Sequence, residues 1–375
     1  MQPFTRITYG FNTQQNIGLD RQNHTFNFDY NWKPNQKTTN RFSLIDFQFV
    51  NNLNVNNYFN IFTNSYTGLN DIAQESSNQI NPEFINEEGD LIISSGTDGF
   101  INQFENSGIN LNDENRQLMR SIIERKDRLT ENNLIIASNF SFDYSTRENI
   151  NDDNFFQVRS RFELVGNLMQ ALSSTFNLNV NENGNFLLFD VPFSQYAKLE
   201  LNYIKHWDLG NENVLAARAY GGFALPYGNS QSIPFARSFF GGGPNDNRGW
   251  QPYDLGPGRT NGINDFNEAN FKLAFNFEYR FNLFGNLNSA LFVDAGNIWN
   301  LLDNVTDPDA TFDGLKDLRE LSIASGVGFR YDISFFVIRL DFGFKTYNPG
   351  ALDQKWFRDY NFSNMVLNFG INYPF

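Results

Sequence analysis

From Met365 to the end the chain alternates without a break. Met365, Leu367, Phe369, Ile371, Tyr373 and Phe375 share one face, and Val366, Asn368, Gly370 and Asn372 share the other. A period of two belongs to an extended strand. An apolar face opposite a small or polar one, closed by a terminal Phe, is the pattern of the last strand of a transmembrane β-barrel, apolar toward lipid and polar toward the lumen. The solvent follows from this. Much of the chain is expected to fold in a bilayer, as a multi-strand integral barrel of a bacterial outer membrane.

The same alternation recurs upstream. Phe26, Phe28, Tyr30 and Trp32 oppose Asn27, Asp29 and Asn31, and Val158, Phe162 and Leu164 oppose Arg159, Arg161 and Glu163. Ile136, Phe140, Phe142 and Tyr144 oppose Ala137, Asn139, Ser141 and Asp143, and Leu199, Leu201 and Tyr203 oppose Lys198, Glu200 and Asn202. The clearest segment runs from Ala269 to Phe281, with Phe271, Leu273, Phe275, Phe277, Tyr279 and Phe281 against Asn270, Lys272, Asn276, Glu278 and Arg280. Near the end Phe336, Ile338, Leu340, Phe342 and Phe344 oppose Arg339, Asp341 and Lys345. A soluble β-sandwich also alternates. Here the apolar faces are aromatic-rich, and the strands run about ten residues or longer, against roughly five or six in soluble sheets. Aromatics make up 17% of 375 residues, 42 of them Phe, while the mean hydropathy is −0.47. Strands that are only half apolar reconcile those two values. No segment approaches the roughly 18 uninterrupted apolar residues of a spanning helix.

Short turns are expected at Gly210-Asn211-Glu212 and from Asn282 to Asn286, on the periplasmic side. Long connections span 51–132, 226–264, 300–317 and 347–361, on the outside. The first should contain a helix, because Leu111, Leu118, Ile122, Ile123 and Leu129 recur at helical spacing after the cap candidates Asn112-Asp113. That helix could plug or cover the barrel, or pack on its surface. Residues 168–192 read as two strands or as one hairpin with a loop. The expected fold is all-β: one transmembrane antiparallel barrel over residues 1–375, with about twelve to fourteen legible strands, long extracellular loops and a helix in 51–132. The opening Met-Gln-Pro-Phe-Thr-Arg-Ile-Thr lacks the basic and apolar regions of a signal peptide. A mature or trimmed chain, its leader gone, is therefore expected.

One connection differs from the others. Residues 239–258 read Phe-Phe-Gly-Gly-Gly-Pro-Asn-Asp-Asn-Arg-Gly-Trp-Gln-Pro-Tyr-Asp-Leu-Gly-Pro-Gly. Glycine and proline dominate, yet Arg248, Trp250 and Tyr253 sit among them, as in a tightly turned loop that delivers an arginine to a set place. The run Gly241, Gly242, Gly243, four residues, then Arg248, Gly249 and Trp250 resembles the sixth-loop signature of the BamA/TamA superfamily of outer-membrane assembly barrels. Leu291 to Trp299 and Asn276 to Phe281 resemble that family's next strand motifs, in the right order, and the C-terminal Phe agrees. The stretch from Ser238 to Phe375 is most similar to the TamA-like lipoprotein branch (TamL) of Bacteroidota.

The resemblance implies sixteen strands and a loop, here 226–264, that folds back into the lumen. It implies that Arg248 pairs with acidic inner-wall residues, Asp294 first and Glu278 second. The alternation agrees: Glu278 lies on the polar face of its strand, and Asp294 lies opposite Val293 and Ala295. A guanidinium between two carboxylates in a confined lumen makes charge-assisted, bidentate contacts that a lysine lacks the planar fork to copy. It also implies the function: insertion or translocation of envelope proteins through a lateral seam between the first and last strands, with the bilayer and unfolded outer-membrane clients as partners. Family members carry N-terminal POTRA repeats, which are absent from this chain. Through such repeats an inner-membrane or periplasmic TamB-like partner would dock. Pro374 donates no ladder hydrogen bond and would weaken pairing near the end.

Other chemistry is not marked out. There is no cysteine, hence no disulfide or thiolate metal site. A formal charge of −14 with 28 scattered Lys and Arg speaks against nucleic-acid binding. His24 and His206 lie far apart and read as rim or lumen residues. No Gly-x-Ser-x-Gly elbow or P-loop appears, and Asp71, Asp113 and Asp152-Asp153 lack the spacing of a calcium loop. No enzyme, metal or cofactor is expected. Alternatives are a passive porin or uptake channel, a TamA-like conduit carrying lipid between membranes, and an outer-membrane phospholipase, for which no serine is marked near His206.

Overall fold

The computed structural model describes residues 3–15, 20–149, 152–173, 175, 177–181, 184–260, 267–333 and 336–375. Met1 and Gln2, the far end of the expected 226–264 loop (261–264), and residues 174, 176, 182 and 183 of the 168–192 tract lie outside them.

Alternation of apolar and polar residues builds one antiparallel sheet of twelve strands, each paired to the next in chain order. They are β1 (Phe4–Gln15), β2 (Asp20–Asn35), β3 (Thr38–Leu53), β4 (Asn133–Ser145), β5 (Phe156–Val165) and β6 (Tyr196–Gly210). β7 (Asn213–Pro226), β8 (Phe271–Phe284), β9 (Leu287–Trp299), β10 (Ser322–Asp332), β11 (Val337–Tyr347) and β12 (Val366–Ile371) follow. Twelve lies within the range legible in the sequence and below the sixteen that the resemblance implies. Among the described residues β1 and β12 each pair on one side only, so the sheet ends in two edges.

The outer face carries exposed apolar side chains along its whole width, from Ile7 and Tyr9 on β1 through Phe140, Leu201, Phe277 and Leu291 to Phe369 on β12. Such a belt is stable against lipid, not water. The opposite face buries charge: Asp29, Glu163, Glu278, Asp294, Arg330 and Asp341 are among its buried residues. In β3 the register shifts between Ser43 and Asp46. A bulge adds a residue and inverts the face that follows. Ser43 and Asp46 are therefore both buried while Leu44 is exposed.

Connections alternate in length. The 211–212 turn uses Asn211 and Glu212 at φ 54° and 61°, the left-handed pair that suits a two-residue hairpin. At the opposite end the chain makes its long excursions. The 168–192 tract forms a short helix (Asn167–Leu172) and a small hairpin pairing Leu187–Leu188 with Val191–Pro192, not a spanning pair.

The 54–132 connection holds more than the one helix its periodicity suggests. α1 (Thr63–Glu75), α2 (Ser95–Ser107) and α3 (Asp113–Thr130) enclose a core that includes Phe59, Leu69, Ile72, Phe100, Met119 and Ile122. Asn112 caps α3, its side-chain oxygen accepting from the Asn115 N–H at 2.7 Å. Leu111, expected in this helix, precedes it and is buried. The unit contacts the other long connections. It stands where the long connections leave the sheet: Arg128 donates to the Ile233 carbonyl (3.2 Å) and Gln117 to Asp307 (3.0 Å).

The terminal alternation stops early. β12 ends at Ile371, and Asn372 follows at φ 65°, its N–H on the Val337 carbonyl. The positive φ turns the chain out of the strand. Tyr373 and Phe375 leave the outer face that the sequence gives them, and their rings lie 4.2 and 5.7 Å from the Arg280 guanidinium on β8. Leu367, Phe369 and Ile371 remain exposed on the outer face.

Candidate functional site

The segment after β7 re-enters the sheet's concave side. Phe239–Phe240 pairs antiparallel with Glu268–Ala269, and Gly241 bridges to Leu255. Within that frame the chain closes a compact tip. The Gly243 N–H donates to the Trp250 carbonyl (2.8 Å), and the Gly242 N–H donates to the Asp246 carboxylate (2.8 Å). Gly242 and Gly243 sit at φ 88° and 103°, conformations that glycine adopts without strain. Trp250 is buried against Leu255 and Ala324 of β10.

This tip presents Arg248 to the inner wall. Its Nε and Nη2 donate to the two oxygens of Asp294 at 2.8 and 2.9 Å, a bidentate pair. Nη1 donates to Glu278 at 2.6 Å and lies 3.4 Å from Asp341. The Arg248 backbone N–H also reaches Asp294, at 3.1 Å. Beneath the guanidinium lies the Phe292 ring, its centroid 3.5 Å away, a cation–π geometry. Arg248 is 1% exposed, and Glu278, Asp294 and Asp341 are 0% exposed, so these charges interact far more strongly than a surface pair.

Strand register explains why they meet. Asn276 pairs with Asp294 and Glu278 with Phe292 across β8 and β9, all on the inner face. Asn276 donates to Asp294 (2.8 Å) and to the Asp246 carbonyl (2.6 Å), locking carboxylate and loop together. Further arginines complete the cluster. Arg280 donates to Glu278 (2.8 Å), Arg330 bridges Glu278 (3.0 Å) and Asp341 (2.7 Å), and Arg339 donates to the Pro244 carbonyl (3.1 Å). Four guanidinium groups thus face three carboxylates, one positive charge in excess (4 − 3).

The inner faces of β10 to β12 leave room for the loop. β10 shows only Ser322, Ala324, Gly326 and Gly328 before Arg330. A Cβ at Gly343 on β11 would lie 2.1 Å from the Arg248 carbonyl oxygen, and one at Gly249 2.7 Å from the Ala324 Cβ. The last strand also holds the loop: Asn368 Nδ2 donates to the Arg248 carbonyl at 2.9 Å.

The structure therefore brings together Arg248, Asp294 and Glu278, with Gly241, Gly242, Gly243, Gly249 and Trp250 shaping the tip. Sequence reasoning passed over Asp341, Arg330, Phe292 and Asn368. Asp341 and Arg339 stood on a recognised polar face, and nothing in the pattern tied that face to the loop.

An Omp85 superfamily domain model matches residues 3–375. The chain belongs to the Omp85 superfamily. Among solved structures, BamA from Haemophilus ducreyi lacking POTRA domains 1-3 matches with a TM-score of 0.52 and 11% identity, over 97% of this chain and 57% of that one. CdiB from Escherichia coli matches with a TM-score of 0.45 and 9% identity, over 96% of this chain and 48% of that one, a likeness too loose to argue from. No curated protein matches. The chain spans little more than half of that BamA structure, and at such identity the likeness concerns fold. In this Omp85 domain the loop is fastened to β8, β9 and β11 by buried charge and to β12 by the Asn368 amide.

Proposed function

We propose that this domain is the membrane-embedded part of an outer-membrane assembly factor that inserts or translocates envelope proteins, and that the free edge of β12 receives the client. Membership of the Omp85 superfamily supports an insertion or translocation role in general. The observation that carries the finer reading is the Asn368–Arg248 bond, because it ties the buried clasp directly to the last strand. An unpaired strand edge offers a row of N–H and C=O groups to an incoming strand. The lumen loop holds that edge in place. In this reading Arg248, Asp294 and Glu278 are positioning groups, and no bond is made or broken. The motifs from Ser238 to Phe375 also favour the TamA-like lipoprotein branch.

The test is a photoreactive phenylalanine analogue at Phe369 on β12, with one at Phe277 in mid-sheet as control, in the full-length protein. Nascent outer-membrane proteins should cross-link at Phe369 and not at Phe277. Only lipid adducts at both positions, while clients still assemble, would refute edge recognition and leave a channel or lipid conduit.

A further inference from the structure

The lumen loop has a second arginine, and it faces the other wall. Arg237 ends the short 3-10 turn Phe235–Arg237 just before the tip segment. Its Nη2 lies 3.2 Å from Asp46 on β3, and its Nη1 lies 3.3 Å from Glu163 on β5. Its Nε donates to Gln48 at 3.2 Å. The Arg237 carbonyl accepts from Lys198 of β6 at 2.8 Å, and Glu163 accepts from the buried Tyr196 hydroxyl at 3.1 Å. Glu163 is 2% exposed at its side chain, Asp46 12% and Arg237 15%. Asp46 reaches this site because of the bulge in β3. In an unbroken register it would share a face with Phe42 and Leu44 and point to lipid.

Arg237 and Arg248 stand eleven positions apart (248 − 237). One is clamped to β3, β5 and β6, the other to β8, β9, β11 and β12. We propose that the loop is a strut across the lumen, pinned at both ends, and that Arg237 is the positioning residue of its second end. A strut pinned to the third and twelfth strands sets how far the sheet can uncurl, and with it the separation of β1 from β12. Its effect on client entry rests on the assembly reading; the strut itself does not.

The chain has no cysteine, so Ile7→Cys on β1 and Leu367→Cys on β12 carry spin labels without background from this domain. Dipolar spectroscopy of the full-length protein in lipid vesicles reads the distance between them. Arg237→Ala should lengthen the most populated distance by about one inter-strand spacing or more, roughly 5 Å, or broaden it by as much. Arg237→Lys keeps the charge but cannot reach Asp46, Glu163 and Gln48 at once, and should fall between the two. Heat-modifiable gel mobility identifies folded protein, and only folded protein is compared. An unchanged distance in folded Arg237→Ala would overturn the strut, as would a change that Arg237→Lys does not lessen. If the distance shifts while client assembly in the same variant is untouched, the strut stands and the assembly reading fails.

Discussion

Arg248 touches Asp294 and Glu278 from a fully buried position, so its removal takes from buried Asp294 the guanidinium that pairs with it, while Glu278 keeps Arg280 and Arg330. Breaking such a cluster costs on the order of 3–5 kcal/mol. Arg248→Ala should lower the urea midpoint of the refolded domain accordingly. Arg248→Lys should recover only part, because an ammonium cannot serve Asp294 bidentately and Glu278 together. Equal midpoints for all three proteins would show that the clasp does not hold the fold. Gly343 allows a finer cut. A Cβ there meets the Arg248 carbonyl at 2.1 Å, so Gly343→Ala should lift the loop while leaving the strands paired. Trypsin should then cleave after Arg248 in a barrel that still shifts on a gel, and resistance equal to wild type would contradict the close fit. At this scale the trio Arg248, Asp294 and Glu278 was legible because a spaced glycine-arginine motif and two strand alternations pointed at the same place. Asp341 and Arg330 were not, because alternation tells which face a residue is on, not what crosses the lumen to meet it.

Among elements, the long outer-face strands were the most readable and the helices the least. α3 declares itself through Asn112 and its apolar spacing, whereas α1, Thr-Asn-Ser-Tyr-Thr-Gly-Leu-Asn-Asp-Ile-Ala-Gln-Glu, is rich in weak helix formers. Packing of Leu69 and Ile72 against α3 overrides that propensity. Removing the cap at α3, Asn112→Ala, should therefore cost about 1 kcal/mol in the helical unit. Amide exchange should quicken in α1 and α3 and stay unchanged in β8 and β9; equal quickening in the sheet would contradict a separate core. Two strand features escaped the pattern for one reason: a single residue can invert a face. The bulge at Ser43–Asp46 does so in β3, and Asn372 at φ 65° ends β12 before Tyr373. Neither Asp nor Asn at those places announces it.

Among the described residues the molecule pairs twelve strands into one sheet, with a charged inner face, an apolar outer face and a loop fastened to both flanks of the lumen. The class of fold was readable from alternation alone, because every strand repeats it. The twelve strands paired among the described residues lie within the range that alternation offers, whereas the sixteen implied by resemblance exceed it. The role proposed for the loop clasp is to serve the assembly of other envelope proteins. Its most direct test is depletion of the full-length protein in its host, with mass-spectrometric quantification of every other outer-membrane barrel and rescue by wild type or by Arg248→Ala at matched abundance. A defined set of barrels should fall, and wild type, not Arg248→Ala, should restore it. Unchanged barrels alongside altered solute uptake or lipid balance would contradict that role and mark the domain as a conduit.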